Sequence, residues 1–320
     1  MEEKKSRISL ENKKIWIVGH NGMVGNSILK KLAKFKSKIL VAEKKDLDLR
    51  CQEKVLNWMK RKKPEVIFLA AAKVGGIAAN MSFPRDFLYD NVMISFNIIN
   101  SAKLIKVEKL VYLGSSCIYP KNIKQPFAED SLLKGELESS NQWYSLAKIA
   151  GIKLCEAFRI QDNCNFISIM PTNLYGPMDK FDDINGHVPA ALLNRFHLAK
   201  INNLPNVTVW GSGTPLREFL RVDDLAEACL FLAENYNSSQ PINVGSGHEI
   251  SIKNFASLVK DIVGYKGKII FDTSKPNGMK RKLLESKKIK QMGWKPKISL
   301  KKGLKLFYKW YLDNQKILRK

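Results

Sequence analysis

Acidic residues are scarce in this 320-residue chain: 30 Asp and Glu stand against 54 Lys and Arg, a formal net charge of +24. Long apolar runs are missing, and no stretch of about 18 uncharged hydrophobic residues exists, so no membrane-spanning helix is expected. Cysteine is sparse, with five residues (51, 117, 155, 164 and 229) and no CxxC pair. That pattern argues against a disulfide framework and against a zinc site. The first residues, MEEKKSRISLENKK, lack the apolar centre of a secretory signal, so the cytosol is the expected compartment. The positive charge would suit an anionic partner: nucleic acid, lipid or a phosphorylated small molecule. The lysines are scattered, however, and short clusters such as KRKK at 60–63 and KRK at 280–282 do not alternate with aromatics. They read as solvated faces with no nucleic-acid or membrane partner, although such a field still favours a nucleotide substrate.

What is present is an alternation of short apolar runs with helical periodicity. KKIWIVG (13–19), KSKILVAE (36–43), EVIFLAAA (65–72), KLVYLGSS (109–116) and NFISIM (165–170) read as strands buried on both faces. Helices are expected over 22–35, 51–62, 85–106 and 141–161. The pattern is that of an α/β protein with a Rossmann-like, doubly wound parallel sheet. Beyond Pro171 the stretch PTNLYGPMDKFDDINGHVP reads as loop. Helices are then expected at 190–200, 222–235, 252–263 and 300–314, and strands at 207–213, 241–247 and 268–271. Asp223 or Asp224 is expected to cap the helix at 222. The implied organisation is a dinucleotide-binding core of 1–177 plus 218–250. A smaller C-terminal α/β substrate lobe would comprise 178–217 plus 251–320.

GHNGMVG sets Gly19, Gly22 and Gly25 at GxxGxxG spacing between the first strand and the first helix. Backbone can approach a pyrophosphate closely only where no Cβ intervenes, and the helix N-terminus then supplies N–H groups and partial positive charge. Glu43, 18 residues after Gly25, stands where a carboxylate would accept from the free ribose hydroxyls of NAD(H). Lys44 and Lys45 follow at once and would neutralise the 2′-phosphate of NADP(H). The residues themselves leave that choice open, and a plain surface acid is the third reading of Glu43.

YSLAK places Tyr144 and Lys148 on one face of a predicted helix. A lysine cation beside a phenol is expected to lower its pKa from about 10 toward neutrality. Such a tyrosine exchanges a proton with a carbonyl or alcohol oxygen while hydride moves at the attached carbon. Ser115, after the fourth strand, would hydrogen-bond the same oxygen. In LGSSCIYP the thiol of Cys117 fits either buried filler or a proton carrier.

With these motifs in this order the chain resembles the extended short-chain dehydrogenase/reductases. Within them it is similar to the GDP-4-keto-6-deoxymannose epimerase/reductase family. The resemblance runs from about residue 13 to 316 and rests on AAAKVGGIAAN (70–80), LGSSCIYPK (113–121), AKIAGIKLCE (147–156), PTNLYGP (171–177), VWGSGTPLREFLRVDD (209–224), INVGSG (242–247) and KPNGMKRKLL (275–284). It implies epimerisation at C3″ and C5″ of a GDP-4-keto sugar, then reduction at C4″. Ser115, Tyr144 and Lys148 would be catalytic, with Cys117 and His187 as the ring-side acid/base pair. The implied cofactor contacts are Gly19, Asn21, Gly22, Met23, Val24, Gly25, Glu43, Lys44, Leu113, Gly114, Ser115, Ser116, Tyr144, Lys148, Pro171, Thr172, Asn173, Leu174 and His187. Arg195, Arg217 and Lys282 would meet the GDP pyrophosphate, and Trp210 and Asn277 the rest of the sugar nucleotide.

Two departures bear on the cofactor: the family pattern has Arg where Asn21 stands and basic character where Glu43 stands. NADP(H) is the expected cofactor, with NAD(H) as the alternative that Glu43 raises. A homodimer built on the helices near 85–106 and 141–161 is implied as well. The competing readings are a reductase or epimerase of a related GDP-sugar such as a heptose, and a catalytically silent dinucleotide- or RNA-binding module.

Overall fold

The computed structural model describes residues 8–182 and 186–318. The N-terminal residues 1–7 and residues 183–185 of the stretch read as loop lie outside the described residues. The chain begins with β1 (Lys14–Val18), α1 (Met23–Leu32), β2 (Lys38–Leu40), α2 (Gln52–Lys62), β3 (Val66–Leu69), α3 (Ile77–Ser82), α4 (Pro84–Leu104) and β4 (Lys109–Leu113). It continues with α5 (Gln142–Asp162), β5 (Phe166–Pro171), β6 (Asn173–Tyr175), α6 (Val188–Ile201), β7 (Asn206–Trp210), β8 (Leu216–Arg221), α7 (Val222–Asn235) and β9 (Ile242–Val244). The last part holds β10 (Glu249–Ser251), α8 (Ile252–Val263), β11 (Lys268–Asp272), β12 (Arg281–Lys282), α9 (Lys287–Gln291) and α10 (Leu300–Asp313).

A parallel sheet in the order β2-β1-β3-β4-β5-β9 forms the centre. The apolar runs become its strands because both faces are covered, and side chains alternate across the pleat. Ile15 and Ile17 pack with Val111, Ile167 and α7 on one face, whereas Trp16 and Val18 pack with Leu69, Leu110 and Tyr112 on the other. A third apolar cluster joins Tyr175, Phe196, Phe255, Phe307 and Tyr311 into a smaller lobe. Its backbone scaffold is the set β10-β8-β12, with β6 on β8, and the parallel pair β7-β11. Leu284, Ile289 and Trp294, which fall within the stretch read as lobe, pack instead in the clusters on the central sheet.

Several elements depart from the sequence reading. β6 lies inside the stretch read as loop, and β8, β10, β12, α3 and α9 fall where the sequence reading expects no element. β8 is LREFLR, and its charges hide the strand pattern because tertiary partners satisfy them. Glu218 is fully buried and accepts from the N–H of Gly247 at 2.6 Å and of Leu284 at 3.1 Å. Neither Asp223 nor Asp224 caps α7. Arg221 takes the cap position without a side-chain bond. Asp223 accepts from Arg221 Nε and Ser27 Oγ, and Asp224 accepts from the Ile298 N–H, so both acids tie α7 to its surroundings.

Candidate active site

The strand order reverses between β1 and β3, and a cleft of about 1070 Å³ opens there at the carboxyl ends of the strands. Every residue assigned from the sequence to catalysis, cofactor or substrate lines it, except Gly25 and Glu43.

Gly19 ends β1 at φ +90°, and a Cβ there would come within 2.8 Å of the Ala71 backbone. Gly25 lies beneath the turn, where a Cβ would overlap the Gly19 carbonyl oxygen. The N-terminus of α1 carries no acidic residue in its first turn and no side-chain cap on Gly22. Its leading N–H groups, which have no intrahelical acceptors, therefore face the cleft as a cradle for a pyrophosphate. Glu43 is engaged within the protein: its carboxylate accepts from Asn21 Nδ2 at 2.9 Å and meets His20 Nε2 at 3.0 Å. The His20 hydrogen bond leads the effects that hold this carboxyl below the usual carboxylate range. Lys44, next to Glu43, lines the cleft together with His20 and Asn21.

Ser115 follows β4 and opens a short 3₁₀ turn, Ser116–Ile118, by accepting from the Cys117 N–H at 3.3 Å. Ser145 Oγ, on α5, donates to the Cys117 carbonyl at 2.9 Å, so the backbone that carries the thiol is fixed from two sides. Tyr144 and Lys148 project from the same face of α5, with Nζ 5.8 Å from the phenol ring centroid. Lys148 Nζ donates to the Leu113 carbonyl at 2.7 Å. The expected acidification of Tyr144 is not what the structure gives. Burial pushes the phenol well above its ordinary value, Cys117 adds to this, and the Ser115 hydroxyl acts the other way. Burial brings the Lys148 ammonium down to about 7. Desolvation of two neighbouring groups outweighs their mutual help.

Two groups of opposite tendency line the same cleft. Burial pushes the Cys117 thiol up, but the Lys282 ammonium, the Ser115 hydroxyl and His187 together bring it below the usual thiol value. Burial lowers His187, but the charge and hydrogen bond of Asp179 reverse this and leave it raised. His187 Nδ1 lies 3.0 Å from Asp179 Oδ1, and Asp179 is only 3% exposed. Sequence reading missed Asp179, His20 and Ser145, because none sits in a spacing that announces its partner.

The substrate set is spread over the lobe side of the cleft. Arg217 Nη2 donates to the Asn277 carbonyl at 3.3 Å, and Arg195 Nη1 donates to the Thr208 carbonyl at 2.7 Å. Trp210, at the end of β7, is 42% exposed, with Lys275 Nζ 5.8 Å from its ring centroid. Asn277 Oδ1 accepts from the Ser212 N–H at 2.8 Å and so fixes the turn after β7. Lys282 lines the cleft and places Nζ 3.1 Å from Cys117 Sγ.

Residues 15–245 match the model of the NAD dependent epimerase/dehydratase family. The chain is 52% identical over 302 residues to the putative GDP-L-fucose synthase 2 of Arabidopsis thaliana, covering 94% of this chain and 92% of that protein. Among solved structures, a GDP-L-fucose synthetase from Naegleria fowleri bound to NADP superposes with a TM-score of 0.91 at 28% identity, covering 100% of this chain and 99% of that one. A GDP-6-OMe-4-keto-L-xylo-heptose reductase from C. jejuni superposes with a TM-score of 0.91 at 35% identity, covering 96% and 99%. The chain therefore belongs to the NAD-dependent epimerase/dehydratase family, in the branch of the GDP-L-fucose synthases.

Proposed function

We propose that this protein converts GDP-4-keto-6-deoxy-D-mannose to GDP-L-fucose, epimerising C3″ and C5″ and then reducing C4″ with NADPH. One observation carries the reading: Ser115, Tyr144 and Lys148 share a single cleft with a thiol drawn down and an imidazole drawn up in proton affinity. The names of the relatives supply the substrate, and the NADP in the Naegleria structure supplies the cofactor.

The glycine turn and the open N-terminus of α1 fit a dinucleotide pyrophosphate, since any Cβ at Gly19 or Gly25 would close the cradle. NADPH held there would supply the hydride for C4″. Carbons flanking a ketone are acidified because the anion left by proton loss spreads onto the carbonyl oxygen. Ser115 and Tyr144 hold that oxygen. Cys117 takes protons from the flanking carbons, and His187, kept protonated and oriented by Asp179, returns them on the opposite face. Tyr144, whose burial keeps it protonated at neutral pH, then gives its proton to the oxygen at C4″. Arg195 and Arg217 suit the diphosphate as guanidinium forks, and Trp210 offers an aromatic surface to the nucleotide.

In this reading 1–177 and 218–250 hold the cofactor, and 178–217 with 251–320 hold the sugar nucleotide, apart from Leu284, Ile289 and Trp294, which pack on the central sheet. A homodimer through α4 and α5 is part of the proposal. These helices pack on each other and leave Tyr89, Leu146 and Ile160 exposed. No described helix is long and apolar enough to cross a membrane.

Incubation with the 4-keto sugar nucleotide and NADPH tests the reading. It should consume reductant in equal amount to substrate and yield GDP-L-fucose by NMR, whereas unchanged NADPH would overturn it. A reduction-only enzyme, the reading that the heptose reductase favours, would consume NADPH and leave C3″ and C5″ in the manno configuration.

A further inference from the structure

Lys282 has a neighbour that a diphosphate ligand does not explain. It sits on β12, which runs parallel beside β8 with Arg281 opposite Leu216 and Lys282 opposite Arg217. Side chains alternate along a strand, so Arg281 turns to Glu249, 2.7 Å from Nε, while Lys282 turns into the cleft. The strand is braced on both sides of the lysine. Gln125 Nε2 donates to the Arg281 carbonyl at 2.7 Å, and Gln125 Oε1 accepts from the Leu283 N–H at 3.0 Å. The Leu284 N–H is held by Glu218 at 3.1 Å. Lys282 is 8% exposed, its Nζ lies 3.1 Å from Cys117 Sγ, and no carboxylate among the described residues pairs with it. The backbone of Cys117 is fixed as well, its N–H by Ser115 and its carbonyl by Ser145.

We propose that Lys282 is a positioning residue for proton transfer: its ammonium holds Cys117 as a thiolate in the resting protein. The charges around the sulfur agree with this. Lys282, Arg217 and His187 face it with positive or potentially positive groups, and Ser115 donates to it. The Tyr144 phenol, the other acid beside it, is kept neutral by burial. A buried ammonium with a thiolate beside it is compensated, whereas with a neutral thiol it would be left with nothing of opposite charge. The thiolate is the form that accepts a proton from carbon. Lys282 thus serves the sulfur first and the diphosphate at most second. The inference deepens the epimerase reading, yet the thiolate itself is measurable without any sugar nucleotide.

The test is alkylation of the full-length protein by iodoacetamide across pH 5 to 9, resolved by peptide mass spectrometry for each cysteine. In the wild type, the rate at Cys117 should reach half its maximum below the ordinary thiol value of about 8.5. Lys282→Met should move that midpoint up by about one unit or more, making Cys117 roughly tenfold slower to react at pH values below both midpoints. Lys282→Arg, which keeps the charge, should restore most of the shift. Half-buried Cys164 should be unmoved in all three proteins. If Lys282→Met does not fold, buried Cys155 and Cys229 will alkylate, and Lys282→Gln then carries the comparison. With substrate, Lys282→Met should lower the maximal rate of solvent exchange at C3″ far more than it raises KM. Coincident wild-type and Lys282→Met profiles would overturn the proposal, as would a Lys282→Arg profile no better than that of Met. A shifted thiol profile in a protein that exchanges no sugar protons would sink the epimerase reading and leave this pair standing.

Discussion

Replacing Asp179 by Asn isolates one charge at the edge of the cleft. Asp179 is buried and touches His187 Nδ1 at 3.0 Å, and it also accepts from the Lys180 N–H at 2.9 Å. The amide keeps the shape and a hydrogen bond but removes the charge that opposes burial of the imidazole. Burial is the largest influence on His187 and lowers it, so without the carboxylate the imidazole should fall from above its ordinary value to below it. A hydrogen bond to a charged group contributes about 1.5–3 kcal/mol against about 0.5–1.5 for a neutral one. Because the His187 side chain keeps 41% of its surface exposed, solvent screening holds the difference near the low end, about 1 kcal/mol. That corresponds to a loss in any step needing His187 protonated that grows as pH rises, to roughly fivefold above both midpoints.

The same linkage affects the fold. A group that binds its proton more tightly folded than unfolded stabilises the fold when protonated. His187 therefore contributes in full below its unfolded value of about 6.5, and the contribution is lost as pH rises through the raised folded value. Asp179→Asn should reverse this dependence, because an imidazole drawn below its unfolded value costs stability when protonated and ceases to do so as pH rises. The chain has only four histidines, so the imidazole ¹H–¹³C signals can be followed individually by NMR. A His187 titration that is the same in wild type and Asp179→Asn would refute the reasoning.

Other perturbations have definite outcomes. Gly25→Ala would push a methyl group into the Gly19 carbonyl and should weaken NADPH binding at least about tenfold by fluorescence titration. Tyr144→Phe should slow reduction by about 10²–10⁴-fold, measured as NADPH consumption on a pre-epimerised ketone, while sugar-proton exchange survives. Glu43→Thr should tighten NADP⁺ and loosen NAD⁺ by calorimetry, because the carboxylate that Asn21 and His20 hold repels a 2′-phosphate and suits free ribose hydroxyls; unchanged selectivity would show that Lys44 alone reads the ribose. Phe255→Ala should cost about 3–5 kcal/mol in denaturant unfolding of the lobe core, where the ring is fully buried and stacks on Phe219 at 4.4 Å.

The central sheet was legible because IWIV, VIFL and LVYL have no reason to be uninterrupted except burial on both faces. The glycine turn was legible because backbone proximity leaves glycine few substitutes. β8 and β12 were not, since Arg217, Glu218 and Lys282 look solvated until their partners are known. Those partners lie far along the chain: Glu218 meets Leu284, and Lys282 meets Cys117, 165 residues away. The direction of the Tyr144 shift was missed for a related reason. A YxxxK spacing reports that a cation is near, and it carries no information about how thoroughly both groups are desolvated. Asp179 escaped because a carboxylate eight residues before a histidine has no periodic meaning in a turn.

The most direct measurement is turnover in D₂O with unlabelled NADPH and the 4-keto sugar nucleotide, followed by NMR of the product. If one cleft both epimerises and reduces, GDP-L-fucose should carry deuterium at C3″ and C5″ and protium at C4″. Protium retained at C3″ and C5″, or deuterium at C4″, would contradict it.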